Sequence, residues 1–206
     1  MAFSRVKISA IGSIILGAAW LMGCGKSAEE LNAKAKVAIN YFLMEMNGQV
    51  WTPYQDPGDP CTSTFSGISG GIGEKPLYTF SAYRDPTGRT DAYSENLLRM
   101  QLLNVTEPAL YLLEGTYKKD FDSYFIFQMR QPAGEVKRYT NIPQRYPFVV
   151  NVEAITTKKA YTIPGIKGTF AGVVYNEDNP LDSLVIEKGK FSFDVLSAQY
   201  DYHCGM

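Results

Sequence analysis

The chain has 206 residues, 45% hydrophobic and 20% charged, which is room for one domain with a buried core and argues against both disorder and a multi-span membrane protein. Its 20 basic and 21 acidic residues give a net charge of −1, so no electrostatic footprint for nucleic acid is present. Tyr (14) and Phe (11) are abundant and His203 is the lone histidine, a balance that favours an aromatic-rich β protein over a His-based enzyme.

Residues 1–23 read as an address rather than as part of the fold. Arg5 and Lys7 form a basic start, and Ile8 to Trp20 is an uncharged apolar run of signal-peptide length, too short to cross a bilayer. It ends in Leu21-Met22-Gly23-Cys24, which resembles the bacterial lipobox, so Cys24 is expected to be acylated and to become the new N-terminus. Two or three acyl chains suffice for a lasting anchor, because stable attachment takes at least two membrane signals. Cleavage removes two of the 20 basic residues and none of the acidic ones, leaving a net charge of −3. The lipid bilayer is therefore engaged through Cys24 and not through a basic surface. Gly25 stands where inner-membrane retention uses Asp, so delivery to the outer membrane is expected, on either its periplasmic or its surface face.

Residues 24–36 form a lipidated tether or short helix, with Ser27 and Glu30 placed as a capping box. A single β-domain is expected over residues 37–206. Ile39 to Met46, then Asn47-Gly48, then Val50-Trp51 read as a hairpin. Asp56 to Pro60 reads as a loop, and the glycine-rich Ser66 to Lys75 as a strand or strand connection, since it matches no phosphate-loop pattern. Further strands are predicted at Leu77–Tyr83, Tyr124–Arg130, Phe148–Thr156 and Lys167–Tyr175, with Leu184–Ile186 and Lys190–Leu196 as two runs flanking Gly189. Glu95 to Val105 fits either a helix or a strand, and its neighbours incline it to a strand. Short strands without βαβ alternation indicate an all-β antiparallel sandwich, with a lipocalin-like barrel as the alternative.

With Cys24 lipidated, Cys61 and Cys204 remain as an even pair in an oxidising compartment and are the disulfide candidate. Neither a metal site nor a cofactor is expected: Cys61, His203 and Cys204 lack zinc-site spacing, and Asp56 with Asp59, or Asn176 to Asn179, lack the regular spacing of a calcium loop. No catalytic motif is present, although a carboxylate pair for glycoside hydrolysis needs no local signature. Trp51, Tyr54, Tyr78, Tyr83, Tyr139 and Tyr146 read as core packing first and as glycan- or protein-contacting groups second. Asp182-Ser183-Leu184 matches a short O-glycosylation pattern of exported Bacteroidota proteins.

The chain resembles uncharacterised Bacteroidota outer-membrane lipoproteins through Phe42 to Trp51, Gly168 to Gly172, and an Ile-x-x-Gly-x-Phe hairpin at Ile186 to Phe191. These are turns and core aromatics. The resemblance implies a lipid-anchored, single all-β domain in the cell envelope and assigns no reaction. The expectation is a binding or interaction module whose partner is an envelope protein or a glycan; the alternatives are a carbohydrate-active hydrolase and a carrier of an apolar ligand.

Overall fold

A computed structural model describes residues 37–38, 40–58, 63–84, 97–131, 134–156, 165–194 and 204–205. They contain no helix, and every strand pairing is antiparallel. In chain order the strands are β1 (Val37–Ala38), β2 (Tyr41–Met46), β3 (Gln49–Trp51), β4 (Phe65–Ile72), β5 (Lys75–Tyr83), β6 (Leu97–Leu103) and β7 (Leu110–Leu112). Then follow β8 (Tyr124–Arg130), β9 (Val136–Asn141), β10 (Val149–Thr156), β11 (Gly165–Asn176), β12 (Ser183–Phe193) and β13 (Cys204–Gly205). β1 pairs with β13, and the other eleven form one sheet, nine of them in the order β3-β2-β12-β11-β9-β8-β6-β5-β4, with β10 and β7 branching from it.

The long β11 forks this sheet. Its last residues pair with β9, while residues 165–171 of the same edge pair with β10, which in turn carries β7. The sheet curls into a half-barrel, so the expected all-β, sandwich- or barrel-like class holds. The curl is visible in ring contacts between strands far apart in the hydrogen-bonded order. Phe65 of β4 lies 5.7 Å from Phe42 of β2, and Phe80 of β5 lies 5.2 Å from Phe191 of β12. Phe125, Phe148 and Phe170 continue the stack, and Trp51 meets Phe127 edge-on at 5.7 Å. These rings fill the concave side. Such pairs contribute about 0.5–1.5 kcal/mol each beyond their burial.

Local sequence accounts for most elements. Asn47 and Gly48 take φ of 49° and 77°, as a two-residue I′ hairpin requires, and Met46 opposes Gln49 across it. In β10 Val150 and Val152 are buried while Asn151 and Glu153 are exposed, the alternation of a half-buried strand. Glu95 to Val105 supplies β6, and the glycine-rich Ser66 to Lys75 supplies most of β4 and the turn into β5. β6 and β8 hide their alternation because both faces are covered: Leu98 and Phe127 point into the core, whereas Gln101 and Ile126 on the opposite face are buried as well.

One expectation is corrected. Leu184–Ile186 and the start of Lys190–Leu196 belong to the single strand β12, and Ile186 to Phe191 is a bulge, not a hairpin. Pairing with β11 slips between Phe170 and Gly172, and pairing with β2 slips between Glu187 and Lys190. The extra residue sits where Lys188 has φ 49°, and it re-phases the strand so that Ile186, Gly189 and Phe191 all face inward. A glycine inside an apolar run reads equally as a turn or as a bulge until partners on both sides are known.

Candidate functional site

The site is a polar cleft of about 390 Å³. One wall is the connection from β7 to β8, residues 113–123, and the other is the connection from β9 to β10, residues 142–148. The floor is the end of β9, and Glu177 enters from the β11–β12 turn.

Two buried carboxamides hold the first wall. Asn141 at the end of β9 donates from Nδ2 to the carbonyls of Leu113 (2.9 Å) and Gly115 (3.1 Å) and accepts the Phe125 N–H at Oδ1 (2.9 Å). Gln101 of β6 donates from Nε2 to the carbonyls of Asp120 (3.1 Å) and Asp122 (2.8 Å). The Asp122 carboxylate accepts the N–H groups of Thr116 (3.0 Å) and Ser123 (3.1 Å), so it staples the loop across its own neck. The loop thereby lies on the outer face of β6 and β8, which is why Gln101 and Ile126 are buried there. The second wall is held by Arg145, which donates to the Pro180 carbonyl (2.6 Å) and lies over the Tyr175 ring.

The β11–β12 turn is tied to β9 through two carboxylates. Glu177 accepts the Tyr117 hydroxyl (2.7 Å) and pairs with Lys118 and Arg138 (both 3.3 Å). Burial alone would raise its pKa, but the hydrogen bonds from Tyr117, Lys118 and Arg138 outweigh burial and hold the carboxyl below its usual range. Asp182 accepts from Asn176 Nδ2 (3.0 Å), Lys137 Nζ (3.1 Å) and the Tyr139 hydroxyl (3.0 Å), and its pKa is lowered by Asn176 first. Burial, aided by the bond to Asp182, pushes Tyr139 up to about 12.

After these commitments several cleft groups are left over. Among the described residues, the side chains of Glu114, Lys119 and Gln144 form no hydrogen bond or ion pair, and the Thr116 hydroxyl has its proton to give. Each wall also carries an exposed aromatic: Phe121, 59% exposed, and Tyr146, 52% exposed.

Of the residues singled out from sequence, Leu21, Met22, Gly23, Cys24, Cys61 and His203 lie outside the described residues. Cys204 is described only as a β13 position opposite Ala38. Asp56 accepts the Gly58 N–H (2.7 Å) as an ordinary turn, and Asp59 lies outside the described residues. The oxygens of Asn176 and Asn179 are taken by the N–H groups of Asp178 and Leu181, and no metal-holding group of His, Cys, Asp or Glu occurs among the described residues. Trp51, Tyr78, Tyr83 and Tyr139 are buried and Tyr54 is partly so, whereas Tyr146 is exposed on the 142–148 connection. Glu114, Lys119, Phe121 and Gln144 escaped sequence reasoning, because they come from two connections and share no local motif.

The family described as Domain of unknown function (DUF5025) matches residues 39–194, and the chain belongs to it. No curated protein and no solved structure matches the chain significantly.

Proposed function

We propose that this member of the DUF5025 family is a cell-envelope lipoprotein, anchored in the outer membrane by acylated Cys24, whose β-domain binds a glycan in the polar cleft. The observation that carries the binding reading is the set of uncommitted groups. Glu114 accepts, Lys119 and Thr116 donate, and Gln144 does both, which suits a ligand dense in hydroxyls better than a simple anion or an apolar molecule. Phe121 and Tyr146, exposed on the two connections outside the cleft lining, offer faces for sugar rings of a ligand long enough to extend past the cleft.

Binding is favoured over hydrolysis for a chemical reason. Glycoside cleavage takes two carboxyl groups free to act on the substrate, one of them a general acid. Glu177 is held ionised by its three donors and Asp122 is bonded to the loop backbone, which leaves Glu114 as the single uncommitted carboxyl among the cleft's described lining residues. A carrier role for an apolar ligand is disfavoured because aromatic rings occupy the concave side of the sheet. The anchor rests on Leu21-Met22-Gly23-Cys24 directly after the apolar run. The same compartment favours a Cys61–Cys204 bridge, worth about 5 kcal/mol for so long a loop by the chain-entropy estimate.

Titration of the purified protein against cell-surface polysaccharide fragments tests the cleft. Lys119→Ala and Phe121→Ala should each weaken binding about tenfold or more, as losing a stacking platform or a charged hydrogen bond does. Affinity indifferent to both changes would end the glycan reading. Radiolabelled palmitate should enter the wild type and not Cys24→Ala; label persisting in the variant refutes the anchor. Mass spectrometry of the non-reduced protein should find Cys61 and Cys204 protected from alkylation.

A further inference from the structure

The face of the sheet turned away from the core carries a second pattern, made of strand residues that do not line the cleft. Register places Leu112, Val149 and Ala171 side by side across β7, β10 and β11, and the row reaches Glu187 at the β12 bulge. One pleat along, Leu110, Asn151, Thr169 and Lys190 form a parallel row. All of these point away from the core, and the leucines are conspicuously bare: Leu110 is 64% exposed and Leu112 48% exposed. Thr169, Ala171 and Gly189 leave a groove of about 390 Å³ in the middle of the face. Lys167 and Lys188 of this face are ion-paired with Glu153 and Glu45, but neither Glu187 nor Lys190 makes a salt bridge among the described residues.

We infer that this face docks a second copy of the same chain. A two-fold axis running across the strands, between the two rows, lays the first row of one copy over the second row of the other. One operation then sets Leu112 on Leu110, Ala171 on Thr169 and Glu187 beside Lys190, each contact occurring twice, as an isologous interface demands. Glu187 and Lys190 are opposite in sign and lie on the two rows the axis exchanges, so the operation brings each acid of one copy to the base of the other. The small residues in the middle let two sheets reach their ordinary face-to-face spacing of about 10 Å. A lipid surface fits less well, because acidic and basic groups are mixed on this face. The inference depends on neither Cys24 nor the glycan cleft.

Sedimentation velocity on the full chain, extracted in mild detergent, tests it by charge exchange. The wild type should be a dimer. Glu187→Lys or Lys190→Glu alone should place like charges together and weaken association about tenfold or more, with the far-ultraviolet circular dichroism of the folded chain unchanged. Combining Glu187→Lys with Lys190→Glu should restore the dimer. Leu112→Asp should abolish it without unfolding the monomer. A wild type that stays monomeric through the micromolar range overturns the inference, as does a dimer indifferent to the single reversals or a double variant that fails to reassociate.

Discussion

Gly189 shows how little room the bulge leaves. A Cβ at this position would sit 2.5 Å from the Phe170 ring. Gly189→Ala must therefore displace a buried aromatic, and a loss of about 1–3 kcal/mol is expected in denaturant titrations, the usual cost of overpacking. Glu177 and Asp182 set the acid limb of stability. Their folded pKa values lie below the unfolded ones, so their contribution is complete above the ordinary carboxylate range and is lost as pH falls through the folded values. Melting temperature measured against pH should drop in that window, and Glu177→Gln should flatten the drop. Tyr139 works in the opposite sense. With its pKa raised to about 12, it stabilises the fold below pH 10 and loses that contribution between pH 10 and about 12. Tyr139→Phe should shrink this alkaline limb, leaving the part due to Tyr78, Tyr117 and Tyr124, whose pKa values burial also raises.

At the scale of elements, the 113–123 connection owes its shape to groups that never touch a ligand. Asn141 satisfies one N–H, that of Phe125, and two carbonyls, those of Leu113 and Gly115, and so ties the start of the connection to the strand that follows it. Asn141→Leu should leave those backbone groups unsatisfied at about 1–3 kcal/mol for each one that stays buried. Glycan affinity should fall as well, although Asn141's own amide is already committed, and calorimetry on the variant checks both effects. The strands themselves were largely legible. Asn47-Gly48 announces its hairpin, and the Val150/Asn151/Val152/Glu153 alternation announces β10. The bulge in β12 was not legible, since its cause is Phe170 on another strand lying against Gly189. The cleft was less legible still. Gln101 and Asn141 look like ordinary polar residues in strands until the loop they hold is seen to fold back over β6 and β8.

For the molecule as a whole, the topology joins segments distant in sequence: β2 pairs with β12, and the curl brings β4 and β5 against β2 and β12. Such non-local pairing should make refolding slow for a domain of this size, in the range of about milliseconds to seconds or longer, as stopped-flow Trp51 fluorescence would record. Trp51 is a good reporter because it is fully buried between Phe42 and Phe127. The fork at β11 has its own consequence. This strand shares its edges with β12, β10 and β9, so its amides are released only when both branches of the sheet separate together. Hydrogen–deuterium exchange in the middle of β11 should therefore report global unfolding, while β3, β4 and β7, each bonded to one described strand, exchange by local fraying.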